Sequence, residues 1–425
     1  MKVLVCGASG FIGRAICLRL AAAGHEVLRG VRHPERAGDV AIDYCTELQP
    51  HDWPARLRGV DAVVNAVGII RESREASFEA LHARAPAALF AACAEAGVRR
   101  VVQISALGAD GDNAVYFTSK RAADEALMAL PLEWIILRPS LVFGPGGGSA
   151  AMFCRAASLP VIAAPSLGKA RFQPIHINDL AEAAAACLEP ATPARRVLDI
   201  AGRDVVSYDG MLAAYRSAMD IPLAPMLHIP TAIMACAAWA GQFCGTLLTP
   251  ETWRMLRAGS ALPESCTASV AAVRTLLGHA PRGIADFIAP AERELFRLRA
   301  LAGWRSALLR WTLAAVWLAT AIVSAFIYPR ADSLALLARV GLEGVPAFAA
   351  LYGAAALDTL LGIACIVRPR RMLWLAEGVL ILGYSAVIAA CLPEYLWHPF
   401  GPLLKNLPIL AILFILSAEE KTWTT

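Results

Sequence analysis

The sequence predicts two architectures in series: an α/β half built on a doubly wound parallel sheet, then an all-α bundle of four membrane-crossing helices. Three observations carry this reading. A strand, a glycine-rich turn and a helix open the chain within its first 23 residues. Short apolar runs then alternate with helical segments as far as residue 200. Four apolar stretches of 18–24 residues crowd the last 125.

Composition agrees with a hidden membrane portion. Apolar residues make up 57% of the 425 and charged residues 17%, against about 45–50% and about 25% in soluble domains. A net charge of +4 without a long Lys/Arg run gives no footing for nucleic acid. The eleven cysteines are scattered with no C-x-x-C pair, so neither a metal site nor a disulfide framework is expected. No secretory signal is read at the start, because Gly7, Gly10 and Gly13 interrupt the apolar run.

Val3-Leu-Val-Cys6 reads as the first strand, and Gly7-Ala-Ser9-Gly10-Phe11-Ile12-Gly13 as a turn that grips a dinucleotide pyrophosphate. A helix over 14–23 supplies unpaired N–H groups and the positive end of its dipole. This is the Rossmann-like opening. The second strand, 26–31, ends in Val31-Arg32-His33-Pro34 with no carboxylate until Glu35. An acidic residue there would hold the ribose hydroxyl of NAD; Arg32 suits a 2′-phosphate, so NADP(H) is favoured, with NAD kept open. Further strands are expected at 60–67, 99–105, 132–138 and 196–200, around a helix at 86–96. In such sheets ligands gather beyond the carboxyl ends of the strands. That places Gly7 to Gly13, Arg32, Asp43, Ala66 to Gly68, Ser105 and Pro139 along one rim.

Chemistry is expected from Tyr116-Phe-Thr-Ser-Lys120. Positions i and i+4 share a helix face, and an ammonium beside the phenol would lower its pKa toward proton exchange near neutrality. Ser105, at the preceding strand end, is expected to orient a carbonyl oxygen. His176 is given no role, and Asn178 or Asp179 is expected to cap the next helix.

These stretches, with Ile104-Ser-Ala-Leu-Gly-Ala109, Leu137-Arg-Pro-Ser-Leu-Val-Phe-Gly-Pro145 and Phe172-Gln-Pro-Ile-His-Ile-Asn-Asp-Leu-Ala181, resemble the short-chain dehydrogenase/reductase superfamily in its extended or atypical branch. The likeness covers about residues 1–290 and leans toward the group containing the nucleotide-binding accessory subunit of respiratory complex I. It implies that Gly7, Gly10 and Gly13 take the pyrophosphate, Arg32 the 2′-phosphate, Asp43 the adenine and Pro139 the nicotinamide edge. It implies Tyr116 and Lys120 as the catalytic pair. The usual Ser-Ser pair is here Ser105-Ala106, a departure at the substrate-polarising position.

The back half starts from a bridge. Residues 229–248 carry no charge over 20 positions, but Pro230, Gly241, Gln242 and Gly245 argue for a surface-lying or substrate-covering helix over another span. The spans are 311–328, 344–367, 372–393 and 399–418. Arg293, Arg297, Arg299, Arg305 and Arg310 precede the first, and Arg368, Arg370 and Arg371 separate the second from the third. By the positive-inside rule both termini and the nucleotide-binding half face the cytoplasm, in a multi-pass inner-membrane protein. Asp358 within the second span is expected to pair with Lys405. Leu357-Asp358 and Pro402-Leu-Leu-Lys405-Asn-Leu-Pro408 resemble the DoxX-like membrane family over about residues 305–418. That likeness carries an association with electron-carrier or quinone chemistry.

The expected organisation is therefore a nucleotide-binding domain over 1–221, a helical bridge over 222–300 and the membrane domain over 301–425. The expected function is a membrane-anchored NAD(P)H-dependent oxidoreductase acting on a lipophilic carbonyl or quinone-like compound. A non-catalytic NAD(P)H-binding scaffold or sensor of a membrane redox complex is the alternative, and nucleotide-sugar epimerase or dehydratase chemistry a weaker one.

Overall fold

The computed structural model describes residues 1–111, 114–243, 246, 248–263, 267–397 and 403–420. The chain divides into two compact units, Met1–Ala300 and Leu301–Thr425.

Seven parallel strands organise the first unit: β1 (Lys2–Cys6), β2 (Glu26–Val31), β3 (Asp39–Ala41), β4 (Ala62–Asn65), β5 (Arg100–Ile104), β6 (Glu133–Pro139) and β7 (Arg196–Ile200). Their order is β7-β6-β5-β4-β1-β2-β3, with every pairing parallel. A central strand buried on both faces needs an unbroken apolar run. β1 shows why: Val3 and Val5 enter one core with Ile16 and Leu20, while Leu4 and Cys6 enter the other with Trp53 and Phe90. The short edge strand β3 is not expected from the sequence; three residues between Gly38 and a polar segment carry too little periodicity to read.

Four helices position the candidate site: α1 (Phe11–Ala22), α2 (Ala85–Glu95), α3 (Val115–Met128) and α4 (Ile177–Ala186). The cap of α4 differs from expectation. His176 is the N-cap, its Nδ1 accepting from the Asn178 N–H at 3.2 Å, and Asp179 lies inside the first turn. Asp179 is fully buried and pairs with Arg282, whose backbone N–H also donates to it at 2.8 Å. A distant arginine claims the carboxylate that sequence alone would leave for the cap.

A smaller layer closes the unit. Val142–Phe143 pairs with Ile175–His176, and Ile162–Pro165 with Met226–Ile229, over a core in which Phe143 stacks on Tyr215 and Phe287. Within residues 222–300 lie α5 (Thr231–Gly241) and α6 (Pro250–Ala258). Thr249 and Thr252 form a reciprocal capping box for α6.

In the second unit, α7 (Arg293–Ile322) carries the chain across the division and runs on into a π-turn at Val323–Ile327. Beyond it come α8 (Gly344–Val367), α9 (Arg371–Cys391) and α10 (Asn406–Glu419). Among the described residues three helices are long and apolar enough to cross a membrane: Pro290–Ile327, Gly344–Val367 and Arg371–Cys391. The fourth expected span is shorter. Residues 399–402 lie outside the described residues, Lys405 sits in a turn, and α10 has 14 residues, a length of about 21 Å. Leu313, Trp317, Trp374, Ile381 and Leu413 fill the bundle core.

Two carboxyl groups lie inside this bundle. Glu377 is fully buried and accepts from the Cys365 thiol at 3.2 Å; Asp358 is 5% exposed with Oδ1 unpartnered. Among the described residues neither forms an ion pair. The expected Asp358–Lys405 pair is absent, because Lys405 is exposed at the start of α10 while Asp358 is buried within α8.

Candidate active site

The site begins where β1 hands over to α1. Gly7 takes φ +79°, a left-handed conformation that suits glycine, and its N–H and that of Ala8 both donate to Gly30 O at 3.0 Å. A Cβ on Gly13 would lie 2.1 Å from Gly7 O, so helix and turn touch backbone to backbone. No side chain caps α1 at Gly10, which leaves its first N–H groups for an anion. The cradle fits a dinucleotide pyrophosphate, with Ser9, Gly10, Phe11 and Ile12 forming its lip.

At the end of β2, Arg32 lies 3.6 Å from Asp43, both side chains being well exposed. Arg29 is held by Asp39 at 2.9 Å and faces inward. Arg14, exposed on the first turn of α1, donates to Ser9 O at 3.0 Å. Arg14 is not among the residues expected from the sequence; its position directly after Gly13 is the one signal it carries. Two cations, Arg14 and Arg32, thus stand beside the turn and the β2 end.

The ends of β4 and β5 carry the next layer. Asn65 is buried, accepts from the Tyr44 hydroxyl at 2.9 Å and donates to Gln103 at 2.7 Å. Gly7 packs against Ala66, to whose carbonyl a Cβ would come within 3.1 Å. Gly68 abuts Lys120: a Cβ there would sit 3.1 Å from Nζ. Through Gly7, Ala66, Gly68 and Lys120 the cofactor turn and α3 meet. Pro139 ends β6, its carbonyl accepting from the Leu107 N–H at 2.9 Å.

Lys120 is buried, its ammonium donating to the carbonyls of Val67 and Ile104, each at 3.2 Å. Burial lowers its pKa to about 8, with Asp124 opposing the shift. Tyr116 shares its helix face, framed by the rings of Phe78, His82 and Phe117 at 5.2–5.9 Å. Burial pushes the phenol up to about 12. This is opposite to the lowering expected from a lysine four residues away, and the reason is visible: desolvation dominates, while the ammonium is turned to two backbone carbonyls.

His82 has both ring nitrogens engaged. Nε2 accepts from the Ile69 N–H at 3.0 Å, so Nδ1 carries the proton and faces Ser119 Oγ at 3.0 Å. Ser119 in turn donates to the Tyr116 carbonyl at 2.7 Å. Burial first, then Lys120, lowers the His82 pKa to about 2. No motif in the sequence marks this histidine.

Ser105 also differs from its expected role. Its hydroxyl donates to the buried Asp124 at 2.8 Å, and Arg138 reaches the same oxygen at 3.2 Å and Asp110 at 3.1 Å. The hydroxyl proton points into a buried ionic network. Burial raises the Asp124 carboxyl, while Ser105 and Arg138 hold it down.

Comparison with known proteins bears on this geometry. Residues 7–153 match an NAD(P)H-binding family model and residues 314–414 the DoxX-like family. A mitochondrial NADH dehydrogenase [ubiquinone] 1 alpha subcomplex subunit 9 from Arabidopsis thaliana is 32% identical over 219 residues, 47% of this chain and 54% of that protein. The front unit is an NAD(P)H-binding domain of short-chain dehydrogenase/reductase type; a DoxX-like domain follows it.

A ceramide reductase from Caulobacter vibrioides is 28% identical over 189 residues, covering 42% of this chain and 58% of that one. The chain spans about half the length of the curated relatives it matches. An NADPH-dependent quinone oxidoreductase from Escherichia coli, complexed with NADPH, superposes with a TM-score of 0.54 at 18% identity, covering 68% of this chain and 99% of that structure. At that identity the likeness speaks for the fold. In the NAD(P)H-binding domain, the glycine cradle and the Tyr116/Lys120 pair lie on one rim of the parallel sheet.

Proposed function

We propose that this protein is a membrane-anchored NADP(H)-dependent reductase of a lipophilic carbonyl or quinone-type compound. The observation that carries the reading is the position of the Tyr116 phenol, walled by aromatic rings on the helix face of Lys120, whose ammonium abuts Gly68. Burial holds the phenol up at about 12, so the proton passes to the more basic oxygen that forms as hydride reaches the neighbouring carbon. The bound cofactor supplies hydride. The residues of this chain do the rest: Gly7 to Gly13 hold the pyrophosphate, Arg32 the 2′-phosphate, and Pro139 and Gly68 border the ring and ribose. Lys120 holds ribose hydroxyls when turned from its carbonyl partners, and Tyr116 gives its proton to the oxygen of the carbon that receives hydride. Ser105 acts through Asp124 as a positioning residue. The likeness to a ceramide reductase favours a lipid-like substrate, and the arginine asymmetry supports an inner-membrane protein with the domain and both termini on the cytoplasmic side.

The test uses the full chain in detergent–lipid micelles with a panel of quinones and long-chain carbonyl compounds. Wild type should oxidise NADPH in a substrate-dependent way, and Tyr116→Phe should cut kcat about 10²–10⁴-fold while NADPH still binds. Unchanged turnover in Tyr116→Phe ends this mechanism. Arg32→Ala should weaken NADPH about tenfold to a hundredfold and leave NADH little affected. A second reading, a cofactor-binding scaffold in a membrane redox complex, draws on the inward-turned Ser105 and the complex I relative. It gains if NADPH binds, nothing in the panel consumes it, and a membrane partner co-purifies.

A further inference from the structure

The helices α5 and α6 border a groove lined by none of the residues assigned to the cofactor or the catalytic pair. α5 has no charged residue over its 11 positions, and most of it faces outward: Ile233 is 58% exposed and Trp239 62%. Phe243, just beyond, is 73% exposed and meets Trp239 edge to face at 5.3 Å. A soluble surface rarely presents such a run, and contiguous exposed apolar patches mark binding faces. Across from it, α6 turns two guanidinium groups to the same space. Ala235, Trp239, Trp253, Arg254 and Arg257 line a cavity of about 650 Å³ between the two helices.

The two walls demand one kind of occupant. Arg254 is only loosely held, 3.6 Å from Glu251, and Arg257 forms no ion pair among the described residues. Guanidinium groups pair with phosphate through two parallel donors, while an indole with one apolar and one polar edge suits the boundary between headgroups and acyl chains. An apolar peptide would leave the arginines unpaired, and a free phosphate would leave Trp239 and Ile233 in water. The same chain carries three helices able to cross a membrane, so lipid is at hand wherever it resides.

We infer that the α5–α6 groove binds an anionic phospholipid, its phosphate on Arg254 and Arg257 and its acyl chain along Ile233, Trp239 and Phe243. A neighbouring face of α6 reaches α3: the Tyr116 N–H donates to Glu251 at 3.2 Å, and Met255 joins Tyr116 in packing on the cluster around Phe117. Lipid in the groove therefore braces the helix that braces Tyr116. The groove stands independently of the proposed reductase activity.

The experiment titrates the full chain in non-ionic detergent with phosphatidylglycerol bearing brominated acyl chains and follows tryptophan quenching. The component missing in Trp239→Phe reports the groove. Wild type should show a saturable Trp239 component, displaced to about fivefold higher lipid by Arg254→Gln and again by Arg257→Gln. Phosphatidylcholine with the same chains should quench it far more weakly. Equal quenching by both lipids, or curves unmoved by either arginine substitution, overturns the site. So does a Trp239 already shielded without lipid, whether by a second copy, seen as dependence on protein concentration, or by the rest of the chain. NADPH binding, measured on the same samples, should be unchanged in both variants; its absence in wild type would count against the reductase and leave the groove standing.

Discussion

Buried charge is handled in opposite ways by the two units. In the NAD(P)H-binding domain Asp124 meets Arg138 and Ser105, and Asp179 meets Arg282. In the DoxX-like unit Glu377 has a thiol and no cation, and Asp358 has an unpartnered oxygen. A carboxylate in hydrocarbon is costly, about 2.5–3.5 kcal/mol or more near a helix centre, so an acid kept there without a cation marks a place with work to do. Among the described residues the front unit has two buried cations held by carbonyls instead of an ion pair. Lys120, on Val67 and Ile104, lies in the candidate site, whereas Arg216, on Ala157, Leu159 and Pro222, ties loops together away from it.

The largest effect should come from breaking a paired site. Asp124→Ala leaves Arg138 nearly buried with the exposed Asp110 and, across the strand register, Asp199, and should destabilise the front unit by about 3–5 kcal/mol, read from chemical unfolding followed by circular dichroism. A loss under about 1 kcal/mol would mean that Asp110 and Asp199 suffice. Next in size is a pH effect on the unpaired lysine. Lys120 titrates near 8 in the free protein, and its ammonium is the form that would hold ribose hydroxyls. Cofactor binding then favours the protonated form, so affinity should be steady below that pH and fall above it by up to about tenfold per pH unit. Isothermal titration from about pH 6 to 10 checks this, and a flat profile would remove Lys120 from ribose binding. The smallest effect belongs to Glu377→Gln, which keeps an acceptor for Cys365 and should change the stability of the full chain in detergent, followed by melting, by no more than about 1 kcal/mol. A loss as large as that of Asp124→Ala would show that Glu377 has a cationic partner, and the contrast between the units would fail.

Much of the scaffold is legible in the sequence for a definite reason. Strands buried on both faces leave unbroken apolar runs, as Val3 to Cys6 shows, and the close contact of Gly13 with Gly7 permits no side chain. Local signals cover the cradle and the Tyr116/Lys120 spacing alike. What escapes is set by long-range partners. Arg282, 103 residues away, draws Asp179 from the helix cap. Asp124 and Arg138 turn Ser105 inward. The phenol shift reverses because spacing along a helix tells which groups share a face, whereas desolvation depends on rings brought in from elsewhere, Phe78 and His82 among them. Asp358 and Lys405 look complementary in the sequence, yet one is inside the bundle and the other at a helix start.

His82 touches the Tyr116 ring edge to face, 5.5 Å between centroids, with one nitrogen taken by Ile69 and the other by Ser119. An imidazole tethered at both ends cannot ferry hydrogen ions, so it serves the phenol as masonry instead of as a relay. On the proposed reductase reading, re-arming Tyr116 after each turnover then falls to Lys120 or to water arriving once product has left. A reductase arranged this way would show its solvent isotope effect most clearly in the reset between cycles.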